Sequence, residues 1–210
     1  MPAYQPDWRV LLIGGSSGAG KTVIAKALGL HFGVPWLQVD DLRLALQSSH
    51  VMLPEDTDAL YFFTQTRDVW QLPSERLCEG LIAVGRIMTP AIEVVIANHI
   101  DTFAPIIIEG DGILPSLLAR PDVQTRANNG QVQAVFLIEP DEEILLANMA
   151  ARGRGIDQFT REEQCTEARS KRLYGQRLAA EAHRYNLPIL ESRPWTTLVE
   201  RIIAATSTRA

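Results

Sequence analysis

Cysteine and histidine are scarce in this sequence of 210 residues. The two cysteines, Cys78 and Cys165, lie far apart, and neither has a Cys or His neighbour at metal-ligand spacing. This pattern indicates neither a disulfide framework nor a zinc site. The four histidines are equally scattered: His31, His50, His99 and His183. We therefore assign the histidines no role, and the low cysteine content predicts a location in the reducing cytoplasm.

Lysine is also rare, with three lysines against seventeen arginines, and the formal net charge is -5. Proteins that bind the phosphate backbone of nucleic acids usually have a basic excess or a basic stripe. We therefore expect no nucleic-acid partner. Arginine has a forked set of donors that suits phosphate, so local contacts with a small phosphorylated molecule remain compatible with this composition.

Long uninterrupted apolar runs are absent. The most apolar stretch, residues 80–100, is interrupted by Arg86, Pro90 and Glu93, and the first nine residues lack a charged segment followed by an apolar one. We expect neither a membrane span nor an export signal, and no membrane partner. With 46% hydrophobic and 21% charged residues, the chain is expected to fold as one domain over residues 1–210.

Short apolar runs alternate with longer helical patterns. Five runs rich in branched residues predict buried strands: residues 10–13, 36–39, 106–108, 132–138 and 187–190. Helical periodicity predicts helices between them: residues 21–32, 74–99, 141–151 and 162–185. Strands that alternate with helices indicate an α/β fold with a largely parallel sheet.

Two segments break this alternation. Residues of about 42–72 are polar and contain proline, and we interpret them as an insertion over a substrate site. Residues of about 151–160 are rich in glycine and arginine, and they lie between two predicted helices. We interpret the second segment as a lid that closes over a ligand.

The strongest motif follows the first predicted strand and opens the first predicted helix. Its eight residues fit the pattern G-x-x-x-x-G-K-[ST]: Gly15, Ser16, Ser17, Gly18, Ala19, Gly20, Lys21 and Thr22. Such a loop turns successive N–H groups toward phosphate oxygens at the positive end of a helix. We predict that the loop binds ATP, that Lys21 reaches the outer phosphates and that the Thr22 hydroxyl binds Mg²⁺. The alternative is a glycine-rich structural turn.

Acidic residues follow the second predicted strand in the sequence QVDDLR. Asp40 comes directly after the strand, where a carboxylate could orient an attacking hydroxyl or take its proton. Asp41 and Arg43 are candidates for contacting the substrate. The alternatives are that either aspartate caps the next helix and that Arg43 is simply solvated.

The third predicted strand runs into the sequence IIIEGDGILP. Glu109, the acid at its end, is a candidate Mg²⁺ ligand, and Asp111 either shares that role or binds substrate. The alternative is a structural turn with two solvated acids. In the predicted lid, Arg152 and Arg154 are candidates for neutralising the transferred phosphoryl group, the alternative being a solvated loop.

Four further basic residues follow on the next predicted helix: Arg161, Arg169, Lys171 and Arg172. A charged helix face is usually solvated, and any one of the four is a further candidate for contacting phosphate. The residues alone do not distinguish among them.

With these motifs, the chain resembles P-loop small-molecule kinases, the broad group of adenylate, gluconate and shikimate kinases and chloramphenicol phosphotransferase. The resemblance is strongest to 2-phosphoglycerate kinase-like proteins, in the sequences IGGSSGAGKT, Asp40-Asp41-Leu42-Arg43 and IIIEGDGILP. It implies a five-stranded parallel sheet of order 2-3-1-4-5, a lid, and transfer of the γ-phosphoryl group of ATP to a small hydroxylated metabolite. The extra acids Asp41 and Asp111 disfavour an anionic acceptor.

Two alternatives of different kinds remain open. One is a nucleoside, nucleotide or toxin-like kinase that acts on nucleotide sugars. The other is a nucleotide-dependent binding module or switch that hydrolyses slowly and signals to a partner. The sequence lacks the Asn-Lys-x-Asp signature of guanine-binding switches, which speaks against a GTPase.

Overall fold

The computed structural model describes residues 6–49, 57–151 and 158–207. Within these ranges one sheet has five strands: β1 (Val10–Gly15), β2 (Trp36–Gln38), β3 (Ile106–Gly110), β4 (Val132–Ile138) and β5 (Ile189–Glu191). The strand order is β2-β3-β1-β4-β5, and the neighbouring strands are parallel. The predicted sheet and its order are confirmed.

Helices cover both faces of the sheet. The described ranges contain α1 (Lys21–Phe32), α2 (Val39–Ser48), α3 (Phe62–Gln65), α4 (Ser74–Asp101), α5 (Pro121–Asn128), α6 (Glu142–Ala151), α7 (Arg161–Arg184) and α8 (Leu198–Thr206). The periodicity of the sequence predicts α1, α4, α6 and α7 to within two residues at each end. All four lie in the connections between successive strands: α1 joins β1 to β2, α4 precedes β3, and α6 and α7 together lie between β4 and β5. Because the strands are parallel, their carboxyl ends share one edge.

The core has two layers, because successive side chains of a strand point to opposite faces. Leu11 and Ile13 of β1 pack with Leu28 and Ile202, under α1 and α8. On the other face, Leu12 packs in the cluster that α4 and α7 complete. The alternation explains why the strands read as continuous apolar runs, since both faces are buried.

The register of the sheet aligns the residues that follow the strands. Ile13 of β1 lies beside Glu109 of β3, and Glu109 lies beside Gln38 of β2. The phosphate-binding motif starts two residues after Ile13, and Asp40 follows two residues after Gln38. Parallel pairing therefore places the loop, Asp40 and Glu109 at one edge of the sheet.

Among the described residues, α4 is one helix long and apolar enough to cross a membrane, judged by its length and composition. Its Met88, Ile92 and Ile96 are at most 1% exposed and belong to the core under the sheet. The core helices of globular domains meet the same criterion of length and apolarity. The absence of a membrane span stays a prediction, and this packing supports it.

The two segments predicted as an insertion and a lid are partly described. The first begins inside α2, and residues 57–72 form short helical turns around α3. The second includes Arg152 and Arg154, which lie outside the described residues, so their catalytic role stays a prediction. It ends at Thr160, whose hydroxyl accepts a hydrogen bond from the Glu163 N–H, while the Glu163 carboxylate accepts one from the Thr160 N–H. This capping box fixes the start of α7.

Candidate active site

The phosphate-binding motif forms the turn between β1 and α1. Gly18 and Gly20 have φ angles of 91° and 80°, a conformation that residues with a Cβ rarely adopt. Gly20 also lies against the ring of Trp195, so a Cβ there would collide with the indole. In the described structure, the first turn of α1 has no acidic residue and no side-chain cap. Its N–H groups and the positive end of its dipole therefore remain available for an anion.

Side chains from two neighbouring elements hold the carbonyl groups of this loop. The Asn148 side-chain amide donates to the Gly18 carbonyl at 2.9 Å, and the Ser192 hydroxyl donates to the Ala19 carbonyl at 2.7 Å. Because C=O and N–H point in opposite directions across a trans peptide, the second bond turns the Gly20 N–H away from Ser192. Sequence analysis missed both residues, since neither is near the motif along the chain.

We expect Ser192→Ala to loosen the loop. Ser192 is fully buried, and its hydroxyl is also 3.2 Å from the Ile138 carbonyl. Its loss leaves the Ala19 carbonyl without this partner, which should lower the free energy of unfolding by about 1–2 kcal/mol and weaken ATP binding about five- to tenfold. Calorimetric titration and thermal unfolding measure both effects. The exposed Ser207, replaced by alanine, is the control, and wild-type ATP affinity in Ser192→Ala would contradict the prediction.

Lys21 is 3% exposed, and its ammonium has two oxygen partners in this structure. Nζ donates to the Ser16 carbonyl at 2.9 Å and forms an ion pair with Asp111 Oδ1 at 2.5 Å. Ser16 itself is fully buried, whereas Ser17 lines the cavities beside the loop. The Lys21 ammonium is thus held between the loop and the residue that follows β3.

Thr22 and Glu109, the two predicted metal ligands, are in direct contact. The Thr22 hydroxyl donates to Glu109 Oε1 at 2.6 Å, and Glu109 is 3% exposed. Burial raises the pKa of Glu109, while the Lys21 ammonium and the hydrogen bond from Thr22 act in the opposite direction. Two adjacent oxygen donors suit Mg²⁺, which takes one or two protein ligands and fills its shell with phosphate and water.

The described residues contain no group of three or more His, Cys, Asp or Glu side chains arranged to hold a metal. Within the described residues, the protein therefore supplies no complete set of such side chains that would hold a metal ion without a nucleotide. The pair of Thr22 and Glu109 beside a phosphate-binding loop fits a cation that arrives with a nucleotide.

Asp40 lies in the first turn of α2 and lines the space between the loop and β3. Its Oδ1 accepts from Arg43 Nη2 at 3.1 Å, which holds the carboxylate in place. Gln38, and neither aspartate, occupies the N-cap position of α2, and it makes no side-chain cap bond. Asp41 is exposed and does not contribute to the cavity linings that include Asp40. The structure therefore brings Asp40 and Arg43 to the site and leaves Asp41 outside it.

Two glycines set the distance between α2 and the segment after β3. A Cβ on Gly110 would lie 2.6 Å from Val39 Cβ, and one on Gly112 would lie 3.0 Å from Val39 Cγ1. The absence of these side chains lets the start of α2 approach β3 closely. The approach places Asp40 beside Glu109 and Asp111.

Asp111 is held from two sides. Its carboxylate pairs with Lys21, and its backbone carbonyl accepts a hydrogen bond from the Tyr174 hydroxyl of α7. Tyr174 is fully buried, and burial raises the pKa of its hydroxyl well above the ordinary value, so the group is a donor at neutral pH. The helix that follows the predicted lid therefore fixes the backbone at Asp111, a role that sequence analysis missed.

A cavity of about 310 Å³ opens beside these groups. Its polar lining consists of Ser17, Asp40, Arg43, Asp111 and Lys171. Its apolar lining includes Val39, Phe63, Trp70, Leu81, Val84 and Met88. Phe63 and Trp70 come from the segment predicted to cover a substrate, and their rings stack at 5.7 Å. Both the size and the mixed lining suit a small-molecule site.

A larger cavity, of about 550 Å³, lies at the opposite end of the strands, next to Val132 and Pro188. Its lining has no Asp, Glu, Lys, Arg or His among the described residues. Ligands of open parallel sheets gather at the carboxyl ends of the strands, where the first cavity lies. We therefore assign the candidate active site to the smaller cavity.

The structure separates the four basic candidates near the start of α7. Arg169 and Arg172 pair with Glu142 of α6, at 3.7 and 2.6 Å, and Arg161 is exposed. Lys171 faces the candidate cavity. The periodicity of the sequence predicts the helix but does not show which neighbour each face meets.

No protein-family model and no curated protein matches this sequence. Solved structures do match it. A shikimate kinase from Acinetobacter baumannii, in complex with shikimate, has a TM-score of 0.50 and 14% identity, over 96% of each chain. A shikimate kinase from Bacteroides thetaiotaomicron has a TM-score of 0.50 and 17% identity, over 93% of this chain and 96% of that one.

A gluconokinase from Sinorhizobium meliloti 1021 also matches, with a TM-score of 0.45 and 15% identity, over 96% of this chain and 93% of that one. At such identities, the likeness to the two shikimate kinases shows the fold. The predicted fold class is confirmed: this chain shares the five-stranded parallel architecture of P-loop small-molecule kinases.

Proposed function

We propose that this protein is a kinase that transfers the γ-phosphoryl group of ATP to a hydroxyl of a small metabolite. One observation carries the proposal: Lys21, Thr22, Asp40, Glu109 and Asp111 line a single space, between the phosphate-binding loop and the acceptor cavity. A phosphate-binding loop alone serves switches, motors and kinases equally. A carboxylate and a cavity next to the loop are what transfer to a second substrate requires.

In this mechanism the acceptor hydroxyl lies against Asp40, which orients it and takes its proton as the new O–P bond forms. The bond between the β- and γ-phosphates breaks, and ADP leaves. Lys21 and the N–H groups of the loop bind the phosphates and neutralise the charge that spreads over the transferred group. Arg43 keeps the Asp40 carboxylate in position. Arg152 and Arg154, which lie outside the described residues, would neutralise the charge of the transferred group.

Thr22 and Glu109 are the residues that would hold Mg²⁺. When bound, the cation neutralises phosphate charge and polarises the transferred group.

We expect Glu109→Gln to raise the Mg²⁺ concentration needed for half-maximal turnover by about tenfold or more, because a neutral amide is a weaker ligand for a hard cation. The affinity for ATP without Mg²⁺ should change little. A Mg²⁺ titration of ADP release measures the effect. Glu191→Gln, at the exposed end of β5, is the control. An unchanged Mg²⁺ requirement in Glu109→Gln would remove this residue from the metal site.

The chemistry of the structural neighbours supports a small hydroxylated acceptor, since one of the shikimate kinases holds shikimate. The resemblance to 2-phosphoglycerate kinase-like proteins adds phosphorylated hydroxy acids to the candidates. The cytoplasmic location and the absence of nucleic-acid and membrane partners stay predictions.

The test is the rate of ADP release from Mg-ATP across a panel of sugars, sugar acids, nucleosides and 2-phosphoglycerate. A kinase should show strong stimulation by one chemical class of acceptor. If ATP binds and no acceptor raises the rate above slow hydrolysis, the proposal fails and a nucleotide-dependent binding module becomes the better account.

A further inference from the structure

Lys171 places a buried positive charge on the candidate acceptor cavity. Its side chain is 8% exposed and lines the cavity together with Asp40 and Asp111. The nearest carboxylate oxygen, Oε1 of Glu167, is 3.9 Å from Nζ, which is beyond hydrogen-bond distance. Among the described residues, Nζ has no hydrogen-bond acceptor. Burying an ammonium without a hydrogen-bonded partner of opposite charge raises the free energy of the folded protein. A ligand that places an anionic group beside Nζ should therefore bind more tightly.

The other charges of the cavity already have close partners of opposite sign. Asp40 pairs with Arg43 at 3.1 Å, and Asp111 pairs with Lys21 at 2.5 Å. The negative charge of Asp41 was one reason to expect a neutral acceptor. In the structure Asp41 is exposed and does not line the acceptor cavity. Lys171 has only the longer ion pair with Glu167 in the described part of the chain, so it is the charged group of the lining without a hydrogen-bonded partner of opposite sign. This favours an anionic acceptor, the opposite of the expectation from the sequence.

The remaining residues that line the acceptor cavity are largely apolar, and the volume of the cavity limits the size of the ligand. Phe63 and Trp70 stack with an interplanar angle of 28°, and Leu81, Val84 and Met88 line the cavity beyond them. The volume of about 310 Å³ equals roughly ten water molecules at about 30 Å³ each. Such a space fits a compact carbon skeleton with one face against the aromatic rings.

We propose that the acceptor is an anionic alcohol: a small molecule with a reacting hydroxyl near Asp40, a carboxylate or phosphate group on Lys171, and a carbon skeleton against Phe63 and Trp70. This inference rests on the proposed kinase function, and it names the substrate class of the same site. Lys171 is then the residue that determines specificity for the anion. It takes no part in bond breaking.

The experiment compares acceptors that differ in charge on one skeleton: glycerol with glycerate and glycerol 3-phosphate, and glucitol with gluconate. Binding is measured by calorimetry with a non-hydrolysable ATP analogue and Mg²⁺, and turnover by ADP release. The anionic member of at least one series should bind tenfold or more tightly than its neutral partner. The carboxylate and phosphate arms distinguish which anion Lys171 accepts.

Lys171→Met should remove that preference, with a tenfold or greater loss of affinity for the anionic member and little change for the neutral one. Lys171→Arg should keep the preference, and it preserves the charge if the methionine variant folds poorly. Arg169→Met is the matched control, because Arg169 lies on the same helix and pairs with Glu142 outside the cavity. The control should leave the preference unchanged.

Equal affinity for neutral and anionic members in the wild-type protein would overturn the inference, as would an equal loss for both in Lys171→Met. Turnover with the neutral members that equals or exceeds turnover with their anionic partners in the wild-type protein would sustain the kinase proposal and overturn this inference. Binding of the anionic members that depends on Lys171, without acceptor-stimulated turnover, would sustain the assignment of the anion to Lys171 and overturn the kinase proposal. Neither binding nor turnover in any series would overturn both.

Discussion

Lys21→Ala is expected to lower acceptor phosphorylation by about a thousandfold or more while the protein remains folded. The ammonium is the buried cation beside the phosphate-binding loop, and loss of one donor to a developing charge costs about 10²–10³ in rate, before the loss of nucleotide affinity is added. Steady-state ADP release with acceptor measures the loss. Circular dichroism and thermal unfolding check the fold.

Two further variants separate catalysis from stability. Lys26→Ala removes an exposed lysine of the same helix and should leave turnover unchanged. Lys21→Ala leaves Asp111 without its ion-pair partner, so the double variant with Asp111→Asn should recover stability without recovering turnover. Near-normal turnover in Lys21→Ala would contradict the assignment of the loop to ATP.

Asp40→Asn is expected to lower kcat by about 10²–10⁴, since the amide orients a hydroxyl but does not accept its proton. Asparagine keeps an oxygen acceptor for Arg43, so the local geometry should persist. The KM for ATP should change little, because Asp40 lies on the acceptor side of the loop. Measurements of kcat and both KM values, over a range of pH, distinguish a lost base from a displaced side chain.

Asp41→Asn is the matched control, one residue further along α2. Asp41 is exposed and outside the acceptor cavity, so both kinetic constants should stay near the wild-type values. A large loss in Asp41→Asn and a small one in Asp40→Asn would exchange the roles of the two aspartates. Equal and small effects would leave the site without its proposed base.

The sequence predicts most of the fold because its strands are buried on both faces. Runs such as residues 132–138 can be recognised without knowledge of their partners, and helical periodicity locates α1 and α7. The motif from Gly15 to Thr22 fixes where β1 ends and α1 begins. With one strand and its loop located, parallel connections place Glu109 at the same edge.

The choice between Asp40 and Asp41 shows a geometric limit of prediction from sequence. Successive helical residues point about 100° apart, so only one of two adjacent aspartates faces a given site. The answer depends on where α2 begins and how closely Val39 approaches Gly110. The local sequence does not encode that packing distance.

The remaining site residues come from contacts between distant parts of the chain. Tyr174 reaches the Asp111 carbonyl across a sequence separation of 63 residues, and Ser192 reaches Ala19 across 173. The orientation of Lys171 depends on how α7 packs, since its neighbours Arg169 and Arg172 turn toward Glu142 instead. A charged helix has several polar faces, and tertiary packing decides which one meets a ligand.

The most direct measurement is the fate of the γ-phosphoryl group, followed by ³¹P nuclear magnetic resonance with Mg-ATP and the acceptor that stimulates ADP release most. The account predicts a new phosphate-ester signal that grows in step with ADP, and its loss in Asp40→Asn. Formation of inorganic phosphate in step with ADP, with no ester signal, would contradict the account and identify the protein as a nucleotide hydrolase.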